Sequence, residues 1–339
     1  MKSIVILLCL ACMPIYTAVA AGSDFEQDRH TKNSVSYGVV DFSVNFMRER
    51  PGYEEELGNQ ALMGTVVRIL EKKGYWLKIQ SPDPYVAWVN EMGIVPMDSL
   101  QVQDYIAAPK YICVSQWTNI YENPSDKSQR ICDFVAGCLV RVAIDKRGRA
   151  EKSGKYLAVM LPSGKKGYVR SSDVNLFDDW AEKSSATPDN IVRTAMTFLG
   201  SPYMWGGTST KGVDCSGLSR MVYFLNGVLL TRNASQQAKK GIEVDIKDIK
   251  PGDLLFFGKS ATEDKPERVT HVGIYIGDNR FIHSSQVVRI NSLNPTDEDY
   301  YGGNLLRVRR VCSEDGKPYN DIPILQSEHY FKVSNHPIQ

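Results

Sequence analysis

Asp214-Cys215-Ser216-Gly217 follows the glycine pair Gly206-Gly207 and runs straight into Leu218, Met221, Val222 and Leu225. The three- and four-residue steps of that apolar run mark a helix with one face turned to a core. A helix starting at or just after Asp214 places Cys215 in its first turn, where unpaired N–H groups and the macrodipole favour negative charge. A free thiol titrates near about 8.5, and a helix N-terminus with an imidazole nearby lowers that value. The stretch therefore predicts a nucleophile at a loop-to-helix junction.

The chain has five histidines, and two follow in similar β-branched, aromatic settings. These are Thr270-His271-Val272-Gly273-Ile274-Tyr275-Ile276 and Arg280-Phe281-Ile282-His283-Ser284, separated by Gly277-Asp278-Asn279. The pattern predicts a β-hairpin. A hairpin centred at Gly277 sets His271 directly opposite His283. A two-residue turn at Asp278-Asn279 puts them out of phase unless a bulge restores the register. On a shared face, His271 is the base toward Cys215 and His283 orients its ring. Taken singly, a cysteine among apolar neighbours is a small buried hydrophobe and a strand histidine is structural. The conjunction carries the catalytic reading.

Five blocks in order are Ser201-Pro202-Tyr203-Met204-Trp205-Gly206-Gly207, Asp214-Cys215-Ser216-Gly217, Pro251-Gly252-Asp253-Leu254-Leu255-Phe256-Phe257, His271-Val272-Gly273-Ile274-Tyr275 and Phe281-Ile282-His283. Residues 186–312 thereby resemble the NlpC family of cell-wall cysteine peptidases. The resemblance implies an α+β papain-like domain, a nucleophile helix packed on an antiparallel sheet, extending over 186–339. It implies Cys215 as nucleophile, His271 as base, His283 as third member and Tyr203 as an oxyanion donor with the backbone N–H at the cysteine. Trp205 and Ser216 would line the substrate. Read without the resemblance, Tyr203 and Trp205 are core aromatics, and Pro251-Gly252-Asp253 is a turn feeding a buried strand from Leu254 to Phe257.

Upstream, two stretches look alike. Gly64 to Leu70, Tyr75 to Ile79 and Tyr85 to Val89 are matched by Gly137 to Ala143, Tyr156 to Met160 and Gly167 to Arg170. Each is a glycine-led β run, a second strand and a short closing strand, the pattern of a small β-barrel. Both are similar to bacterial SH3-like domains, over 38–100 and 105–177. Thr187-Pro188-Asp189-Asn190 starts a helix running from Ile191 to Leu199, which leaves 178–187 as linker. Lys2, the apolar run Ile4 to Tyr16 and Ala18-Val19-Ala20 read as a cleaved export signal at 1–20. That places the mature chain in the periplasm or outside the cell. A lipid anchor at Cys12 is disfavoured, because Cys9 stands where such signals carry leucine. Five cysteines then remain, of which Cys132 and Cys138 could pair, and the odd number leaves at least one free thiol. The 339 residues carry a net charge of +1, which gives no argument for nucleic acid. No Cys or His spacing suits zinc, no cofactor is expected, and the chain is expected to be a monomer with no transmembrane segment after signal removal.

An exported peptidase of this family with two SH3-like domains resembles the γ-D-glutamyl-L-diamino acid endopeptidases. Those cut peptidoglycan stem peptides after L-Ala-γ-D-Glu and require a free L-Ala amine, as in murein tri- and tetrapeptide recycling. The resemblance assigns the amine to Glu56, Tyr85 and Asp214. A buried ammonium needs compensating charge, since leaving it unpaired costs several kcal/mol. Read alone, Glu56 belongs to a solvated acidic run and Tyr85 packs a barrel. Two other readings are an N-acetylmuramoyl-L-alanine amidase and a non-catalytic wall-binding protein.

Overall fold

Gly64 and Gly137, which lead the two similar stretches, both adopt left-handed backbone, at φ 82° and 88°. Glycine alone takes that conformation without a Cβ penalty, so each marks the same chain reversal into a strand. The computed structural model describes residues 36–331, and the expected export signal with Cys9 and Cys12 lies outside them.

The first stretch forms β1 (Ser36–Val40), β2 (Val44–Arg48), β3 (Leu57–Leu62), β4 (Val66–Lys73), β5 (Trp76–Gln80), β6 (Val86–Asn90) and β7 (Ile94–Met97). Helix α1 (Ser99–Ala107) follows, capped by a reciprocal Asp98–Gln101 capping box. The second stretch forms β8 (Lys110–Cys113), β9 (Trp117–Tyr121), β10 (Arg130–Val135), β11 (Leu139–Val142), β12 (Lys152–Ser153), β13 (Tyr156–Met160), β14 (Lys166–Arg170) and β15 (Val174–Leu176). The strand order is β3-β2-β6-β5-β4-β1-β7 in one sheet and β10-β9-β14-β13-β11-β8-β15 in the other, with β12 added on β13. Apart from β12 these are the same topology, so the repeat in sequence is a repeat in structure. The expectation of closed barrels is corrected: each sheet is an open path whose end strands do not pair. β3 spends its outer edge elsewhere. There the Thr208 N–H donates to Gln60 Oε1 at 2.8 Å and the Thr208 hydroxyl to Asn59 Oδ1 at 3.0 Å.

The expected linker is largely helical, as α2 (Phe177–Lys183), and α3 (Pro188–Met196) follows with Thr187 as its N-cap. Beyond the short pair β16 (Thr208–Ser209) and β17 (Gly212–Val213) lies α4 (Cys215–Phe224), then β18 (Val228–Leu229), α5 (Ala234–Gln237) and β19 (Ile242–Val244). The remaining strands are β20 (Leu254–Lys259), β21 (Arg268–Gly277), β22 (Arg280–Ser285), β23 (Val287–Ser292), β24 (Leu305–Arg310) and β25 (Ile322–Pro323). They build an antiparallel sheet in the order β19-β24-β20-β21-β22-β23. Leu218, Met221 and Val222 of α4 share one buried cluster with Leu254, Phe256, Val272, Ile274 and Ile282 of that sheet. This is the expected helix-on-sheet core.

Polar links lock the three parts together. Ser43 of the first sheet donates to Asp133 of the second at 2.9 Å, and Lys211 Nζ meets Asp133 at 2.6 Å and the Ser43 hydroxyl at 2.9 Å. Arg220 of α4 pairs with Asp83 at 3.2 Å, and the Asp83 side chain is only 1% exposed. At the C-terminal end, Phe331 stacks on Phe177 with ring centroids 4.9 Å apart, and His329 Nδ1 donates to the Val66 carbonyl at 2.9 Å. The suggested Cys132–Cys138 bridge is absent, for all five described cysteines are free thiols and Cys138 instead donates to the Ser43 carbonyl. No helix among the described residues is long and apolar enough to cross a membrane.

Candidate active site

Cys215 is the first residue of α4, and Asp214 is its N-cap, accepting from Gly217 N–H at 2.7 Å. The helix can start this close to the preceding loop because Gly217 has no side chain: a Cβ there would lie 1.9 Å from the Gly207 carbonyl oxygen. Burial pushes the Cys215 thiol up to about 11, with the Asp214 carboxylate adding to it. The backbone N–H groups of Val272 and Ser216 and the Arg232 guanidinium pull the other way. The helix terminus thus acts in the expected direction, but burial outweighs it.

The hairpin resolves the two registers open in the sequence. Asp278 and Asn279 form a two-residue turn with φ of 51° and 55°, and a bulge between Tyr275 and Gly277 shifts the pairing to Tyr275–Phe281 and Ile274–Ile282. Continued by one residue, that register sets Gly273, not His271, against His283. The histidines share a face but sit diagonally. Gly273 lets them meet, since a Cβ there would lie 2.4 Å from the Phe281 ring and 3.3 Å from His283 Cβ. Across the gap, His271 Nε2 lies 2.7 Å from His283 Nδ1.

The proton positions follow from the chain of partners. Asn291 Nδ2 donates to the Asp299 carbonyl at 2.6 Å, so its Oδ1 is the atom that faces His283 Nε2 at 2.8 Å. An amide oxygen only accepts, so His283 carries its proton on Nε2 and offers the Nδ1 lone pair. His271 must then donate from Nε2, which leaves a lone pair on its Nδ1. Tyr301 covers the pair, stacked on His271 at 5.4 Å and edge-on to His283 at 5.0 Å. Burial, with His283 and Arg289 close by, pushes His271 down to about 3, and burial also lowers His283. The shifts of Cys215 and His271 favour the uncharged forms of the thiol and the imidazole.

Cys215 and His271 open onto a cleft of about 1000 Å³ that also exposes Tyr203, Trp205, Asp214, Ser216, Arg232, Glu49, Glu56 and Tyr85. All nine residues singled out in the sequence are thus in or against one site, with buried His283 behind its wall. Burial, helped by the thiol and Asp214, pushes Tyr203 up to about 12, so its hydroxyl keeps its proton. Trp205 Nε1 donates to Glu56 at 2.7 Å and bridges from the peptidase part to the first sheet. The Tyr85 hydroxyl donates to Glu49, not Glu56. Asp214 is heavily engaged. Its Oδ1 accepts from Gly217 N–H, the Ser216 hydroxyl at 3.2 Å and Arg232 at 3.2 Å, and its Oδ2 from Gly206 N–H at 3.0 Å and Arg232. A carboxylate has about four lone-pair sites, so these donors leave Asp214 little capacity for a ligand. Among the described residues no cluster of His, Cys, Asp or Glu is placed to hold a metal ion.

Comparison with known proteins agrees with this geometry. Residues 200–310 match the NlpC/P60 family and residues 47–94 match the bacterial dipeptidyl-peptidase Sh3 domain. The chain thus carries an NlpC/P60 domain together with a bacterial dipeptidyl-peptidase Sh3 domain. A γ-D-glutamyl-L-lysine dipeptidyl-peptidase of Bacillus cereus is 29% identical over 256 residues, 73% of this chain and 72% of that one. Its namesake in Bacillus subtilis is 29% identical over 282 residues, covering 78% of this chain and 88% of that one. The crystal structure of an NlpC/P60 family protein from Bacillus cereus superposes with a TM-score of 0.67 at 24% identity, covering 81% of this chain and 99% of that one. That likeness fixes the fold.

Sequence reasoning missed four residues of this NlpC/P60 site. Glu49 and Arg232 lie outside every motif block, and only the fold brings them to the cleft. Asn291 and Tyr301 lie beyond the hairpin in strand and loop. A signal existed only for Asn291: a strand residue that could follow His283 back along the next strand.

Proposed function

We propose that the protein hydrolyses the bond between γ-D-glutamate and the following diamino acid in peptidoglycan stem peptides with a free N-terminal L-Ala, releasing L-Ala-D-Glu. The observation that carries this reading is the cleft's far wall. There Glu49, Glu56 and Tyr85 of the first sheet face the same space as Cys215 and His271. Two carboxylates and a phenol oxygen suit an ammonium, whose burial otherwise costs several kcal/mol. Glu49 replaces Asp214 as the third amine group in this account, because Asp214 is committed to Arg232 and the helix cap. A stem still joined to muramic acid brings an uncharged amide and a sugar to that wall instead.

In the reaction His271 Nδ1 takes the thiol proton as the sulfur attacks the γ-carbonyl carbon. The oxyanion receives the Tyr203 O–H and the N–H of Cys215, donors that gain most in the transition state. The tetrahedral intermediate collapses as His271 returns the proton to the departing amine. Water, deprotonated by the same imidazole, then cleaves the thioester and restores Cys215. Asn291 and His283 hold the His271 tautomer throughout, so they act as positioning residues. The signal-like sequence at 1–20 and the repeated sheet topology support a reading in which the enzyme works outside the cytoplasm with two SH3-like units, the first closing the cleft.

The test is kinetic. Glu49→Gln and Glu56→Gln are expected to raise KM for the free peptide about tenfold, the scale of one lost charge-assisted bond, with kcat within twofold. N-acetylation of the L-Ala should abolish turnover by the unaltered enzyme. Equal rates on free and acetylated peptides would overturn the amine wall.

A further inference from the structure

On the His271 side of the cleft, β21 continues outward through Thr270, Val269 and Arg268, all of which line the same space. Arg268 is directly paired with Lys259 across β20 and β21, so both side chains stand on one face. Both are exposed. Like charges placed directly opposite are destabilising, and here nothing offsets them: among the described residues neither cation has an ion pair. The neighbouring Glu267 is already held by Arg307, and Glu263 and Asp264 on the connecting loop pair with neither cation. Arg268 lines the cleft and Lys259 stands beside it on the same face, an uncompensated pair of cations suited to an anion.

The position indicates which anion. The leaving amine receives its proton at His271, so the diamino acid lies on this side. Its α-carboxyl group sits on the carbon next to that amine, close to His271. Arg268 is three residues away along the strand, but the bulge opposite Phe257 and Gly258 leaves two ladder steps between them, about 7 Å at roughly 3.3 Å per residue. That distance suits the far end of a long side chain. The geometry points to Arg268, with Lys259, as the subsite that reads the distal end of the leaving diamino acid and selects one ending in a carboxylate. A diaminopimelate side chain ends in an ammonium and a carboxylate together, and its carboxylate meets the guanidinium. A lysine side chain ends in an ammonium alone and meets two cations, a repulsion that discriminates against it. This inference rests on the γ-D-glutamyl peptidase reading above and departs from the lysine named for the relatives.

The experiment compares L-Ala-γ-D-Glu-meso-diaminopimelate with L-Ala-γ-D-Glu-L-Lys in two ways. The first is kcat/KM for the unaltered enzyme, Arg268→Gln and Lys259→Gln. The second is calorimetric binding of both uncleaved peptides to Cys215→Ala, with and without Arg268→Gln. The diaminopimelate peptide is expected to be favoured about tenfold or more, the scale of one charge-assisted pair. Arg268→Gln should collapse that ratio to near one in both turnover and binding, and Lys259→Gln should reduce it. No preference in the unaltered protein, or an equal loss for both peptides, would overturn the subsite, the latter by assigning Arg268 to the shared α-carboxylate. If neither peptide is cleaved yet binding keeps an Arg268-dependent preference, the scissile-bond assignment fails and the subsite stands.

Discussion

In the proposed mechanism His271 acts through Nδ1, the nitrogen that its neighbours leave free. Because the base must be neutral to accept a proton, activity falls as pH drops through the imidazole's own value. Burial moves that value below the ordinary 6.5 or so. The acid limb of kcat/KM is therefore expected below pH 6.5, and a limb at or above it would mean a resting imidazolium. Asn291→Asp sharpens the point. A carboxylate still accepts from His283, so the tautomer survives, but its charge favours imidazolium and should shift the acid limb upward. Asn291→Leu should instead lower kcat by at least about tenfold with little change in KM. An unmoved acid limb in the aspartate variant would break the proposed chain from Asn291 to His271. The placing of Cys215 and both histidines at one site was legible in the sequence because each sits in a compact block with its own local signature. The tautomer chain was not, because it depends on the Asn291 amide being turned by a carbonyl at Asp299 that no pattern marks.

At the scale of elements, the hairpin from β21 to β22 turns on one extra residue. The sequence leaves two registers open because Gly277-Asp278-Asn279 supports either turn, and side-chain alternation does not specify a bulge. The structure adopts the short turn and restores the phase with a bulge, which makes the two histidines diagonal and gives Gly273 a specific task. Gly273→Ala is expected to press on Phe281 and displace His283, lowering kcat by about tenfold or more while far-ultraviolet circular dichroism stays unchanged. Unaltered kcat would show that the ring pair tolerates displacement. Helix α4 was the most legible element, since an Asp cap, a small first turn and an apolar face agree from 214 to 225. The sheets were legible as a repeat of glycine-led strands but not as open paths. In the first sheet the outer edge of β3 meets Thr208 through Asn59 and Gln60, a contact between residues some 149 positions apart.

At the scale of the whole molecule, the site exists only because the first sheet is held against the peptidase part. Asp83–Arg220 is the most enclosed of those links, with side chains 1% and 14% exposed. Breaking a buried pair by removing one partner costs about 3–5 kcal/mol. Asp83→Ala should therefore lower the unfolding free energy by that order in a denaturant titration and raise KM for the free peptide by loosening the amine wall. A loss below about 1 kcal/mol, the surface-pair range, would mean the link contributes little. None of these long-range pairs could be read in advance, since each joins residues whose local sequence is ordinary. Glu49 was invisible for the same reason, and Glu56 gained its partner only when Trp205 arrived from the other domain.

In the proposed function one cleft joins Cys215 and His271 to a wall that demands a free amine. The most direct test is mass-spectrometric digestion of L-Ala-γ-D-Glu-diaminopimelate, free and still attached to muramic acid, with Cys215→Ala beside each. L-Ala-D-Glu is expected from the free peptide only, and none with the alanine variant. Cleavage of the attached stem at the same rate, or turnover surviving the loss of Cys215, would contradict it.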